Sequence, residues 1–289
     1  MFVLFTDTDN DMTFHLAKEL GYRLISMPYS IDGEMFFPYQ TNEPFDFKAF
    51  YRQLKEGVMP KTSALSPMDY IHYFEPVFQS GNDILYVHFS SKMSSTFNAM
   101  ALALAELKEK YPERVCHTID TKSIAVGSLP ILKEISKLYH DGKTVEEIQA
   151  WAEEEIPHFA FYLYASDLKF FQRSGRISNF SAFFGSLLRI KPIIHMDEEG
   201  YMKSIEKQRG QLPALKRLVE IVVELQDRIE EYGVTIGHTD ALESAMLVRQ
   251  MLWDKLGSGL TVEIVDVNPT AGSHCGPGNL GICFHAVHR

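Results

Sequence analysis

Ile84-Leu85-Tyr86-Val87-His88-Phe89 is followed by Ser90-Ser91-Lys92-Met93-Ser94-Ser95-Thr96 and then by the alanine- and leucine-rich run Phe97 to Leu107. A short apolar run with a polar boundary reads as a buried strand, and a longer apolar segment behind a hydroxyl-rich turn reads as a helix with its N-terminus in that turn. The first N–H groups of a helix have no partner inside it, and the helix dipole is positive there. Hydroxyl side chains and free N–H groups therefore meet in one turn, which suits an anion such as a carboxylate or a phosphate.

Outward from this unit, strands and helices alternate. Phe2–Phe5 reads as a strand followed by an acidic turn, Asp7-Thr8-Asp9-Asn10-Asp11. Phe14–Leu20 is a short helix ended by Gly21, and Arg23–Met27 is the next strand. A loop-rich insert with several prolines and aromatics spans about 28–60. Helices are predicted at Pro67–Phe78, Thr96–Glu109 and Ile124–His140, with a strand at Val115–Asp120. Thr144-Val145-Glu146-Glu147 is a capping box that opens a helix to Glu155. Such alternation implies an α/β fold built on a doubly wound, mainly parallel sheet.

The pattern changes near Phe159, which places a domain boundary at about residue 157: an N-terminal α/β domain over 1–157 and a C-terminal α/β domain over 158–289. Phe159–Tyr164 reads as an edge or linking strand. Pro192–Met196 and Tyr201–Lys207 form a hairpin around Asp197-Glu198-Glu199-Gly200. One long amphipathic helix is expected over Pro213–Tyr232, then strand Val234–Gly237, helix Leu242–Leu256 and strand Thr261–Val267. A glycine-rich loop, Gly272 to Gly281, leads into a last strand, Gly281–Val287. The second half is expected to hold a mixed or antiparallel sheet.

Bulk properties exclude several classes. A net charge of −10 over 289 residues opposes general attraction to nucleic acid or to an anionic membrane surface. The apolar stretches fall far short of the roughly 20 residues a membrane span requires, so no stable membrane insertion is expected. The N-terminus lacks a basic region and reaches Asp7 too soon for a signal peptide. Three cysteines, Cys116, Cys275 and Cys283, are too few for a disulfide scaffold and favour a reducing cytoplasm.

Three loops can carry chemistry: Lys61-Thr62-Ser63-Ala64-Leu65-Ser66-Pro67, Ser90 to Thr96, and Gly272-Ser273-His274-Cys275-Gly276 with the glycines after it. Loops at the carboxyl ends of neighbouring strands converge on one crevice in a doubly wound sheet. Thr62, Ser63, Ser94 and Ser95 are thus candidates for an anion site, and equally for simple helix caps. His274, between glycines, is either a structural residue or a site residue. Gly276-Pro277-Gly278-Asn279-Leu280-Gly281 matches a dinucleotide fingerprint in letters but leaves no room for the βαβ unit that motif requires. The central residue of Gly272–Gly276 is His, not the Ser of a nucleophile elbow. Cys275, Cys283, His285 and His288 fit no usual zinc spacing, so no metal is expected. Lys169, Arg173, Arg176, Arg189 and Lys191, extended by Lys207 and Arg209, form a basic cluster that is either a solvated face or a docking patch for a partner or phosphate. The run around Phe180, Phe183, Phe184, Leu187 and Leu188 is either core or the wall of an apolar cavity.

Taken in order, these motifs resemble the DegV family of bacterial fatty-acid-binding proteins over nearly the whole chain. Asp7-Thr8 stands where the family has Asp-Ser. Thr62-Ser63 with Ser66-Pro67, Ser90 to Thr96, Ser174-Gly175-Arg176-Ile177-Ser178, Ile190-Lys191-Pro192-Ile193, Lys207-Gln208-Arg209-Gly210 and His274-Cys275-Gly276-Pro277-Gly278 complete the set. The resemblance implies two α/β domains with a long-chain fatty acid in a tunnel between them. It implies that Thr62, Ser63, Ser94 and Ser95 hold the carboxylate with His274 over it, and that Arg176 and Arg209 contact phosphate or a partner. Phe180, Phe183, Phe184 and Leu187 are then expected along the acyl tunnel. Several family members are the lipid-carrying subunit of a fatty acid kinase, so the resemblance implies a separate ATP-dependent kinase subunit as partner, phospholipid synthesis as destination, and no cofactor beyond the bound acid. Three departures stand out: Ser95 replaces the family's usual Gly, Ala64-Leu65 replaces a common Gln-Pro, and the Asn10-Asp11 turn is atypical of the family. A different reading of the same residues is a serine-dependent acyl hydrolase or acyltransferase, with Ser94 as nucleophile and His274 as base, although no acidic orienter is identifiable.

Overall fold

The computed structural model describes residues 1–178 and 190–289. The first half runs β1 (Phe2–Asp7), α1 (Phe14–Glu19), β2 (Arg23–Ile25), β3 (Tyr29–Ile31), β4 (Glu34–Phe36), α2 (Phe47–Lys55), β5 (Lys61–Thr62), α3 (Pro67–Gln79), β6 (Asp83–His88), α4 (Thr96–Lys110), β7 (Cys116–Asp120), α5 (Leu129–His140) and α6 (Val145–Glu155). Strands β2-β1-β6-β7 make a wholly parallel sheet in that order. The insert carries more regular structure than its composition suggests: β4-β3-β5 form a small antiparallel sheet beside α2. The expected capping box forms at Thr144–Glu147 before α6, and a second, not read from the sequence, forms at Ser66–Asp69 before α3.

The second half runs β8 (Phe159–Tyr164), α7 (Leu168–Ser174), β9 (Ile177–Ser178), β10 (Ile190–Met196), β11 (Met202–Arg209), α8 (Gln211–Leu225), α9 (Ile229–Tyr232), β12 (Val234–His238), α10 (Leu242–Leu256), β13 (Val262–Asp266), α11 (Pro269–Cys275) and β14 (Leu280–His285). Among the described residues, seven strands form one mixed sheet in the order β13-β12-β14-β8-β10-β11-β9. Of the two readings of Phe159–Tyr164, edge or linking strand, the edge reading fails: β8 lies between β14 and β10, antiparallel to both, and all six of its residues are buried. An unbroken apolar run suits a strand covered on both faces. Alternation splits it cleanly. Phe159, Phe161 and Leu163 join the apolar cluster that also holds Leu4, Phe5 and Val87 of the parallel sheet. Ala160, Tyr162 and Tyr164 join a second cluster with residues of α8 and α10.

Two further expectations change. The long helix over Pro213–Tyr232 breaks after Leu225, where Gln226 leaves to bridge Ala286 and Asp227 N–H donates to His285 O (3.0 Å). Arg228 takes a left-handed conformation (φ 45°) before α9 begins. The glycine-rich stretch from Gly272 is helical as far as Cys275, because Asn268 caps α11 and Pro269 starts it. Among the described residues no helix is long and apolar enough to cross a membrane.

Candidate ligand-binding site

A cavity of about 220 Å³ opens between the two large sheets, with Phe89, Ile124, Val126, Phe161, Leu163 and Phe171 in its apolar wall. Thr62, Ser63, Ser94, Ser95, Thr96, Arg176 and His274 line the same cavity. Ser63, Ser95 and Arg176 are exposed, so solvent reaches the cavity from this polar side.

Backbone pairing sets Thr62 in place: β5 pairs with β3, Tyr29 opposite Thr62. The loop after it is tied to the serine turn. Leu65 N–H donates to Thr96 Oγ1 (3.1 Å), and the Tyr70 and Thr96 hydroxyls share a hydrogen bond (2.9 Å). Within the serine turn the hydroxyls divide by role. Ser90 Oγ donates to Gly200 O (2.8 Å) and Ser91 Oγ to Asp120 Oδ2 (2.6 Å), so both are structural. Ser94 Oγ accepts from Thr96 N–H (3.2 Å) and still borders the cavity. Ser95 is the residue before α4, yet its side chain makes no capping bond. Its φ and ψ of −80° and 0° are open to any residue, so serine fits where the family has glycine and leaves its hydroxyl at the rim. Of the four residues read as possible caps, Ser95 makes no capping bond; the cap of α3 is Ser66, which that reading did not include.

His274 stands on α11, and its Nε2 lies 2.8 Å from Thr62 Oγ1. That contact joins segments separated by 212 positions. Three hydrogen bonds pin the start of α11. Asp11 Oδ1 accepts from the backbone and side-chain nitrogens of Asn268 (both 2.7 Å), and Tyr51 OH donates to Val267 O (2.9 Å). A Cβ on Gly272 would stand 2.5 Å from Tyr51 Oη, and one on Gly276 2.3 Å from the Phe170 ring with φ at +73°. These glycines serve close packing and a helix end rather than a flexible loop.

Burial, followed by the charges of Arg176 and Arg173, pushes the His274 imidazole down to about 4. It is therefore neutral at pH 7, with one ring nitrogen to donate and one to accept. Its surroundings are cationic. Arg173 donates to Ser273 O (3.0 Å) and lies over the Phe170 ring, while Arg176 donates to Ser174 O (2.6 Å). The arrangement can receive an anion: neutral hydroxyls, a neutral imidazole and two nearby guanidinium groups, beside the N-terminus of α4, where the Ser95 side chain makes no capping bond.

Of the other expected site residues, Arg209 is exposed on β11 and does not line the cavity. Phe180, Phe183, Phe184 and Leu187 lie outside the described residues. Sequence reasoning missed the wall contributed by Asp9, Thr239, Thr270, Cys275 and Asn279. Asp9 belongs to the acidic turn after β1, which is buried as a unit: Asp7, Asp9, Asn10 and Asp11 are at most 7% exposed. Burial raises Asp9 and Asp11 to about 7, and Asp7 well above its ordinary value. Cys275 is near the cavity, Cys283 Sγ contacts Gly127 O and His285 contacts Glu155. Among the described residues no group of three His, Cys, Asp or Glu is placed to hold a metal ion.

Comparison with known proteins agrees with this architecture. The profile of the DegV family, described as uncharacterised proteins, matches residues 1–287. A DegV domain-containing protein of Clostridium perfringens is 32% identical over 287 residues, which is 98% of this chain and 97% of that one. One from Streptococcus pyogenes is 29% identical over 283 residues, 97% and 96% of the two chains. Among solved structures, a DegV family protein from Thermus thermophilus, described for its fatty acid binding, superposes with TM-score 0.85 at 23% identity over 99% of both chains. The fatty-acid-binding DegV protein of Streptococcus agalactiae gives 0.83 at 24%, again over 99% of both. A Eubacterium eligens DegV protein loaded with heptadecanoic acid gives 0.82 at 18%, over 99% of this chain and all of that one.

Proposed function

This chain belongs to the DegV family, and from that premise we propose that it binds a long-chain fatty acid in the cavity between its sheets and presents the acid's carboxyl group to a separate ATP-dependent kinase. The observation that carries the reading is the meeting of Thr62 and His274, 2.8 Å apart, on the polar side of a cavity walled by phenylalanine and aliphatic residues. Ser63, Ser94 and Ser95 complete the carboxylate site, and Arg176 stands where a transferred phosphoryl group would need a cation. Arg209, exposed on β11, is assigned to the partner surface.

The physical chemistry favours a carrier. Each buried CH₂ of a fatty acid contributes about 0.8 kcal/mol, so most of the affinity comes from the tail. The head needs only neutral donors and nearby positive charge, which a protein of net charge −10 supplies locally. Hydrolysis by a Ser94–His274 pair is disfavoured on two counts. His274 bonds Thr62, and the charges that shift it are two arginines rather than a carboxylate that would orient it as a base. We place the protein in the cytoplasm, where its ligand would feed phospholipid synthesis.

Mass spectrometry of the denatured protein, purified from a bacterial host, tests the binding. The expected result is a stoichiometric long-chain acid. Repeated recovery without lipid, together with failure to take up added acid, would refute it. Phosphorylation of the bound acid by a partner kinase with ATP tests the presentation step.

A further inference from the structure

Asp9 lines the cavity with the head-group hydroxyls, and a plain fatty acid gives it nothing to bind. The residue is 7% exposed, and its Oδ1 has no hydrogen-bond partner. Its backbone is held: the N–H donates to Asp7 Oδ1 (3.0 Å), and Asn268 Nδ2 reaches its carbonyl oxygen (3.4 Å). The side-chain neighbour of the carboxyl is the Thr270 hydroxyl, which also donates to Met27 O (3.2 Å). A buried carboxyl group with an unused oxygen is costly, whatever polar residues stand elsewhere in the wall. A ligand that ends this deficit gains affinity that a methylene chain cannot.

Position narrows the ligand. Thr270 and His274 are four residues apart on α11, so they share a helix face about 6 Å apart along the axis. Ala271 and Cys275, on the same helix, line the cavity as well. Asp9 therefore meets the cavity about one helical turn from His274. If the carboxylate sits at His274 and Thr62, Asp9 is reached by a group near the carboxyl end of the chain.

Chemistry narrows it further. Burial raises the Asp9 carboxyl to about 7, so both its forms are present at neutral pH. An ammonium group would have to be desolvated itself and would hold the carboxyl in its charged form, and a ketone serves only the protonated one. A hydroxyl donates to the first and accepts from the second. We propose that this protein prefers a hydroxylated fatty acid, whose hydroxyl lies near the carboxyl end of the chain and hydrogen-bonds Asp9. The proposal rests on the fatty-acid reading above.

The test is competitive binding to delipidated protein of stearic acid and its 3-hydroxy, 5-hydroxy and 12-hydroxy derivatives. A hydrogen bond to a buried carboxyl corresponds to about a tenfold change in Kd. The expected result is one of the near-carboxyl hydroxy acids binding about tenfold tighter than stearic acid, with the 12-hydroxy acid gaining nothing. In Asp9→Leu that preference vanishes, whereas Asp9→Asn, which can still donate and accept, keeps part of it. Stearic acid binding as tightly as both near-carboxyl hydroxy acids would overturn the proposal and leave the fatty-acid reading intact. Equal gain from the 12-hydroxy acid would overturn it too, by removing the link to Asp9. If no acid in the panel binds, the fatty-acid reading falls and this proposal with it. Should Asp9→Leu fail to fold, the wild-type panel and Asp9→Asn decide the outcome.

Discussion

Replacing Asp9 with asparagine should change how stability depends on pH. Burial raises the Asp9 carboxyl from an ordinary 3.8 to about 7 in the folded protein. Between those values the folded chain holds a proton that the unfolded chain has released. The contribution is therefore fully present below about pH 4 and is lost as pH rises through 7. About one unit of the shift is already lost by pH 5. The two units that remain, at about 1.4 kcal/mol each, amount to about 3 kcal/mol between pH 5 and pH 8. With an unfolding entropy of about 2.1 cal/mol/K per residue, a chain of 289 residues changes Tm by about 5 °C for that energy. The amide of the Asp9→Asn variant cannot ionise. Whatever offset the variant shows from the wild type at pH 5, it should gain a further 5 °C or so by pH 8. Differential scanning calorimetry of the delipidated proteins across pH 5 to 8 measures this double difference. Asp7 and Asp11 remain in both proteins; the Asp9 charge is one of the causes that raise Asp7, so the variant's residual slope is the shallower one and adds to the difference in the same direction. A Tm difference that stays constant from pH 5 to pH 8 would refute the reasoning, because it would show that the folded protein carries Asp9 charged throughout.

Other outcomes follow from single contacts. Thr62→Ala and His274→Ala should each weaken fatty acid binding about tenfold or more with little loss of Tm, since each removes one of the proposed head-group partners; unchanged Kd in both, by titration calorimetry, would displace the head group from this corner. Ser66→Ala removes the capping box of α3 and should cost about 1 kcal/mol in denaturant unfolding without altering which acid binds. Gly276→Ala meets both a positive φ and the Phe170 ring at 2.3 Å, so it should lower stability by several kcal/mol; a near-neutral effect would mean the end of α11 readily shifts. Ser94→Ala should leave the protein without any acyl-ester turnover to lose, and sustained hydrolysis by the wild type that vanishes in this variant would revive the hydrolase reading.

The fold was legible wherever local pattern decides it. The strand, turn and helix from Ile84 to Leu107 and the Thr144 capping box stand where expected. The hairpin of β10 and β11 does too. Reading failed where a distant partner decides. The six apolar residues of β8 look alike at a sheet's edge or centre, and only β14 and β10 on its two sides settle which. Gln226 leaves its helix because Ala286, sixty positions later, pairs with it. At α11 the signal was present, an asparagine cap before a proline, but the following glycines and serine masked it. The candidate site was half legible. Hydroxyl loops and His274 could be picked out by residue type, whereas Asp9 could not, since an acidic turn after a strand is ordinarily solvated. Only the packing of the turn against Asn268 and Thr270 reveals that it is inside.

The wall of the cavity takes residues from position 9 to position 281, with Thr62, Ser94, Arg176 and His274 spread between. No fragment of the chain contains the pocket, and contacts across such separations form late, because their loop-closure entropy must be met first. A molecule that occupies the cavity therefore binds the finished fold and nothing before it. At a hundredfold excess over its Kd it would add about 2.7 kcal/mol to stability by mass action alone. Shifts of that size change how much of a protein survives cellular proteolysis. The supply of ligand would then set not only how much of this protein is loaded but how much of it persists.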